Sequence, residues 1–323
     1  MRVLSILLVG SVAVLAGCAS FPAPRQTLVL ATGAPGGAFA DYGPGIGKVV
    51  AAHSRFDLES KPTAGSNDNV KLVNDASVPL GLINMGPAFE AWTGTEAWKG
   101  QKLTNLRALV PMYETPFHVV ALKSSGIRGL RDLQGKRVGV GPAKGPAENF
   151  FRALMESLGI RTVIVNGSPS ENAVQLVTER VAERIDAFWY GAGLPIGAFA
   201  EAADKAPVTV FGLTPDEITA FRKRFPYLAE YPVPAGTYRG QETTVQTMAV
   251  WNFVLAHKDM PEATVYDIVK ALLDNPAEVA LAYPAATATV TRNAAANTFL
   301  PFHPGAVRYY RENGVALKAE LVP

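Results

Sequence analysis

The chain has 323 residues, 48% of them hydrophobic and 18% charged, which suits a globular protein with an ample core, built as one large domain or two. Thirty Lys and Arg against 28 Asp and Glu leave a formal charge of +2, so no strong field toward nucleic acid or an anionic membrane surface is expected. Gly (29) and Pro (24) fit many short loops, and no internal repeat or low-complexity tract is evident.

The chain opens with MRVLSILLVGSVAVLAGCAS. Arg2, an apolar run from Val3 to about Ala16 and then small residues have the shape of a secretory signal, too short to span a bilayer. Leu15-Ala16-Gly17-Cys18 resembles the lipobox of bacterial lipoproteins, and the other reading is ordinary cleavage with an incidental cysteine. Cys18 is the only cysteine, so it serves no disulfide framework. The resemblance implies removal of residues 1–17, a lipid on Cys18, a linker over 18–26 and a periplasmic location. Ala19, where Asp would mark inner-membrane retention, points to the outer membrane.

Beyond the linker, strands and helices alternate. TLVLATG (Thr27–Gly33) is a β-prone run ending in glycine, followed by a helix with Phe39, Tyr42, Ile46 and Val49/Val50 on one face. Phe56–Ser60 reads as a strand, Ser66 opens a helix with Val70 and Val73 inward, and Val78–Met85, Leu106–Tyr113 and Phe117–Lys123 read as three strands. The pattern restarts near Phe117. Lys136–Gly141 is a strand, and Ala147–Leu158 is a helix with Gly159 as its stop. Thr162–Asn166 is a strand, and Ser168-Pro169-Ser170-Glu171 is a capping box. Ile185–Tyr190 and Val208–Leu213 are strands, Thr214-Pro215-Asp216-Glu217 repeats the capping logic, Thr243–Ala256 is a long strand, and two helical stretches close the chain. The alternation predicts parallel sheets covered on both faces, in two α/β lobes.

Ligands of open α/β sheets bind beyond the carboxyl ends of strands, and three glycine-bearing loops qualify. They are Gly33–Phe39 (GAPGGAF), Thr63–Asn69 (TAGSNDN) and Gly141–Ala147 (GPAKGPA). Glycine lets a backbone approach a ligand, and a helix start supplies unpaired N–H donors. Together they point to an anion or carboxylate site.

ATGAPGGAF followed by PTAGSNDN resembles the TAXI family of extracytoplasmic solute receptors, which serve TRAP (tripartite ATP-independent periplasmic) transporters. That family shows G-T-G-x-x-G-G-T-Y-Y and then T-x-G-S-x-x-N. SGIRGLRDLQGKRVGVG (Ser125–Gly141), IDAFWYGAGLPIGA and PFHPGAVRYYRENG are similar to later blocks of the family, so the likeness runs from about Thr27 to Gly314. The resemblance implies a type II periplasmic-binding fold, with two lobes joined by hinge strands and a ligand cleft between them. Lobe I is expected over 27–116 plus 242–323 and lobe II over 117–241. The implied ligand is a small organic acid: an amino acid, a dicarboxylate or a more apolar, aromatic carboxylate. The implied partners are TRAP membrane subunits. A monomer is expected, with no cofactor, no metal and no catalytic residue. A receptor that signals or carries its ligand without a membrane partner is the alternative.

Departures from the family are informative. Gly36, Gly37, Ala38 and Phe39 replace G-G-T-Y, and Lys144, Gly145, Pro146 and Ala147 replace G-S-G-T, so hydroxyls are lost and Pro146 removes a donor. Met85, followed by Gly86, stands where many members have a polar residue and then Asp. Ser66 and Asn69 keep the family pattern; they are read as ligand contacts, beside the plainer roles of N-cap and first-turn polar residue. Lys144 reads either as a charge partner for a carboxylate or as a solvated loop lysine. Phe39, Tyr113 and Trp189 read either as aromatic walls or as core, and Gly193 falls in the matching IDAFWYGAGLPIGA block.

An enzyme finds no support. His53, His118, His257 and His303 lack metal-ligand spacing, no G-x-S-x-G elbow is present, and the one thiol lies at the lipid site. GVGPAKG has neither the Gly-Lys-Ser/Thr of a phosphate loop nor the third glycine of a dinucleotide turn. His118 and Glu114 are read as structural.

Overall fold

The computed structural model describes residues 25–33, 38–143 and 145–323; Gly36, Gly37, Lys144 and Cys18 lie outside them. The first half is a βαβαβ unit: β1 (Gln26–Ala31), α1 (Ala38–His53), β2 (Phe56–Lys61), α2 (Ser66–Asn74) and β3 (Leu80–Asn84). α1 turns Tyr42, Ile46, Val49 and Val50 onto the sheet. It comes close because Gly43 has no side chain: a Cβ there would stand 2.4 Å from Thr32 Cγ2. α3 (Met85–Thr93) follows β3 directly, capped by the Asn84 side chain and stopped by Gly94 in the left-handed region.

β4 (Leu106–Leu122) leads to a second βαβαβ unit: β5 (Arg137–Gly139), α4 (Pro146–Leu158), β6 (Val163–Val165), α5 (Pro169–Val177) and β7 (Ala187–Gly191). Then come α6 (Gly197–Lys205), β8 (Val208–Phe211), α7 (Pro215–Arg222), β9 (Ala229–Val233) and β10 (Val245–His257). α8 (Glu262–Leu273), α9 (Pro276–Val279) and α10 (Pro304–Glu312) close the chain. Both expected capping boxes form, with Ser168 accepting from the Glu171 N–H and Thr214 from the Glu217 N–H. Gly159 ends α4 in the left-handed region.

The strands form one sheet in the order β2-β1-β3-β10-β4-β7-β5-β6, with β8 paired to β4 and β9 to β10. Pairing is parallel in β2-β1-β3 and in β6-β5-β7 but antiparallel at β10 and β4, so the sheet is mixed where parallel sheets were expected. The two-lobed α/β architecture is nevertheless the one expected. β4 and β10 join the lobes: β10 pairs with β3 through residues 252–256 and with β9 through 245–249, and β4 reaches β7 through 117–121.

Leu106–Tyr113 and Phe117–Lys123, read as separate strands, are one 17-residue strand. Pro111 and Pro116 stay in register opposite Phe253 and Ala249, and the register shifts twice, between Trp251 and Phe253 and between Val254 and Leu255, each time with one extra residue on β4. Asn252, the residue skipped at the first shift, donates to Tyr113 O and Thr115 Oγ1 (2.9 Å each) and accepts from Asn84 Nδ2 (3.2 Å). A buried side chain thus replaces the missing ladder bonds.

The main apolar core runs from Leu30, Leu80 and Leu82 through Val110 and Val254 to Phe151 and Leu154 of α4. A smaller core joins Leu176, Phe188, Phe199 and Val208. Within it, Tyr238 OH accepts the Ile196 N–H (3.1 Å) and is hydrogen-bonded to His118 Nε2 (2.9 Å). Burial pushes the His118 pKa down to about 3, so this ring is a neutral structural member.

Candidate functional site

Helices α2 and α3 of the first half face α4 of the second across one cleft. Its volume is about 290 Å³. One wall comes from the first half: Asn67 in the first turn of α2, Pro87 and Glu90 of α3, and Glu96 and Ala97 just beyond it. The other comes from Pro146, Asn149, Phe150, Arg152, Ala153 and Glu156 of α4, with Arg224 and Phe225 after α7.

Two of the helix starts at this cleft are left without a side-chain cap. α2 and α4 both have a glycine N-cap, Gly65 and Gly145, and neither has a side-chain cap. α5 and α7 have full capping boxes. Uncapped first-turn N–H groups and the positive end of the helix dipole suit an anionic group. Gly65 sits at φ +115°, a conformation open mainly to glycine.

Charge in the cleft is largely paired off. Arg152 bonds Glu148 (Nη2 to Oε1, 2.5 Å), which also accepts from Asn166 (2.9 Å). Arg224 reaches Glu96 at 3.3 Å and Glu156 at 3.2 Å. Glu90 is half-buried, and that burial, reinforced by Glu96 and opposed by Arg224, pushes its carboxyl up to about 7.

An aromatic cluster surrounds Tyr113. Tyr113 packs against Tyr42 (5.5 Å) and Tyr283 (5.3 Å). Tyr42 OH bonds Thr289 Oγ1 (2.8 Å), which donates to Met112 O. Tyr113 OH is buried without a hydrogen-bond partner among the described residues, and burial first, then the neighbouring Tyr283 and Tyr42, raises this phenol well above its ordinary pKa.

The structure separates the residues named from sequence. Pro146 lines the cleft. Gly145 caps α4, and Ala38 and Phe39 open α1, all three partly exposed. Ser66 Oγ accepts from Asn84 N (3.0 Å), pinning the start of α2 to the end of β3. Asn69 is fully enclosed: Nδ2 donates to Thr32 O and Leu82 O (2.7 Å each), and Oδ1 accepts from the Thr63 hydroxyl (2.7 Å). Its amide is committed to protein partners, which makes it a support beneath the turn. Trp189 is likewise enclosed, donating Nε1–H to Ala147 O (2.9 Å) and stacking on Phe117. It fastens the first turn of α4. Met85 and Ala147 are buried, and Gly193 is covered by Tyr283, whose Cε1 would stand 2.9 Å from a Cβ there.

Sequence reasoning passed over Glu90, Glu96, Asn149, Arg152 and Arg224. For Glu90 a signal existed: Asn84 as N-cap and Gly94 as stop bracket the helix that carries it.

Residues 30–314 match the model of the NMT1-like family. Among solved structures, a probable amino-acid ABC transporter extracellular-binding protein from Bacillus subtilis, YtmK, is similar at 15% identity and TM-score 0.48, over 80% of this chain and 97% of that one. A TctC solute-binding protein from Polaromonas is similar at 13% identity and TM-score 0.48, over 81% and 86%. The alkanesulfonate-binding protein SsuA from Xanthomonas axonopodis pv. citri, bound to MOPS, is similar at 14% identity and TM-score 0.43, over 90% and 92%.

Proposed function

The chain belongs to the NMT1-like family, and from that premise we propose that it is a periplasmic solute-binding protein that captures a small organic acid between its lobes and delivers it to a TRAP-type membrane transporter. The observation that carries this reading is the cleft of about 290 Å³ with one wall from α2, α3 and the residues just beyond them, the other from α4 and the end of α7, and two uncapped helix starts along it. A carboxylate held by first-turn N–H groups of α2 and α4 leaves Phe150, Phe225 and Pro87 to meet an apolar body. Phe39, Ser66, Lys144 and the turn with Gly36 and Gly37 complete the proposed lining, and Asn69, Tyr113 and Trp189 hold it in shape. The lobes divide at 27–116 with 242–323 against 117–241. The protein acts by binding and release, as a monomer held to the outer membrane by lipid on Cys18.

A thermal-shift screen of the full chain against amino acids, dicarboxylates, aromatic acids and keto acids tests this. A true ligand at a hundred times its Kd stabilises by about 2.7 kcal/mol, a rise of several degrees. Equal melting in every acid at millimolar concentration would overturn the reading.

A further inference from the structure

The link between α7 and β9 touches both walls of the cleft. Phe225 packs on Phe150 of α4 (5.4 Å) and on Phe221 (4.7 Å). Two residues on, Tyr227 packs on Phe89 of α3 (5.1 Å), and Gly86 makes room for it: a Cβ there would stand 3.1 Å from Tyr227 Cε2. Phe225, Tyr227 and Leu228 are all buried. Arg224 lies over this aromatic seam with its two terminal nitrogens divided between the walls, Nη2 to Glu96 (3.3 Å) and Nη1 to Glu156 (3.2 Å).

We propose that residues 223–228 are an interlobe strap, and that the Arg224–Glu96 pair is a clasp that sets how far the cleft closes before any ligand arrives. The inference rests on the two-lobed binding reading and adds a control on it. Tyr227 supplies an apolar seat that only the closed arrangement fills, because Gly86 and Phe89 belong to one wall and Phe150 and Phe225 to the other. Arg224 is about half exposed, so its pairing with Glu96 is modest and reversible. A clasp of that strength biases the open–closed balance without locking it, so a ligand that bonds both walls can still shift the population. A stronger pair would trap the closed form empty.

Spin labels on cysteines placed at Ser77 and Glu179, in the full chain with Cys18→Ser, report the separation of the halves by pulsed dipolar spectroscopy. No ligand is added, so the outcome is independent of whether an organic acid binds. Glu96→Gln and Arg224→Gln are each expected to shift the open-to-closed ratio toward longer distances by roughly two- to five-fold, the range an exposed pair supports. The double variant should go no further than either single one. Both side chains are exposed, so the variants fold, and an unchanged melting temperature checks this. Distance distributions in Glu96→Gln and Arg224→Gln that match the wild type, or shifts that add in the double variant, would overturn the clasp.

Discussion

Asn69 and Asn172 hold the same place in the two βαβαβ units, each in the first turns of the helix before the third strand. Both are fully buried. Asn69 uses its amide as a donor, to Thr32 O past the end of β1 and to Leu82 O in β3. Asn172 uses its amide as an acceptor, taking the Gly141 N–H past the end of β5 (2.9 Å), and donates to Gln175 (2.9 Å). The same fastening job, holding the turn after the central strand against the next helix, is done through opposite ends of one side chain. What decides is the backbone group that the turn presents: a carbonyl at Thr32, an N–H at Gly141, where φ is +74°. An amide suits both turns because it offers a donor and an acceptor on one flat group.

The comparison is sharpest in stability. Asn69→Ala removes the side-chain donor to Thr32 O and Leu82 O and one partner of the Thr63 hydroxyl, and roughly 3 kcal/mol of unfolding free energy should be lost. Asn172→Ala strands one buried N–H, and about half that loss is expected. Urea unfolding of the two variants measures both; equal losses would break the comparison by showing that the extra carbonyl bond in the first unit contributes nothing.

The helix after each third strand offers the next contrast. The sixth residue of α3 is Glu90, and the sixth of α6 is Ala202, fully buried in the smaller core. The groups bearing on Glu90 are Glu96 beyond α3, Arg224 and Tyr227 of the strap, and Arg152 and Glu156 of α4 across the cleft. On α2, Asp68 caps Ala64 and Lys71 pairs with Asp75. The Glu90 carboxyl at about 7 lies above its ordinary 4.5, so the folded chain holds an extra proton between those values. Stability from this group is therefore full below about 4.5 and is lost as pH rises through about 7. After allowance for its partial exposure, Glu90→Gln should be more stable than wild type at pH 8 by about 1–2 kcal/mol and little different at pH 4.5. Unfolding curves at the two pH values decide this. A difference that does not change with pH would mean that the α3 position is as indifferent to charge as water.

Much of this was legible in the chain and some was not, for identifiable reasons. The caps at Ser168 and Thr214, the stop at Gly159 and the long β10 depend on residues within four positions of one another, and local spacing carries that information. The continuity of β4 depends on Asn252, more than a hundred positions away, so residues 114–116 read as a break between two strands. The repeat was invisible because TAGSNDN (63–69) and NGSPSEN (166–172) share little beyond Gly-Ser and a final Asn, and differ in spacing by one residue. Of the candidate site, the glycine helix starts were legible. Arg224 was not, since its partners lie 128 and 68 positions upstream. Asn69 stood out through its motif, yet its role as a donor to Thr32 O past β1 and Leu82 O in β3 follows only from the fold.

The last contrast concerns the helix starts. Ser168 accepts the Glu171 N–H (3.2 Å) and Glu171 accepts the Ser168 N–H (2.7 Å), so the orphan donors of α5 are satisfied from within. In α2 the corresponding serine, Ser66, spends its hydroxyl on Asn84 N of β3 and leaves the helix start to glycine. If donors at α2 and α4 are kept free for a ligand while those at α5 serve only the fold, the two kinds of start answer differently to mutation. Ser168→Ala should cost about 1 kcal/mol of stability and leave the affinity for any acid found by thermal shift unchanged. Isothermal titration beside a melting curve separates the two effects. A loss of affinity in Ser168→Ala would mean that α5 shapes the cleft after all, and that capping does not divide the binding helices from the others.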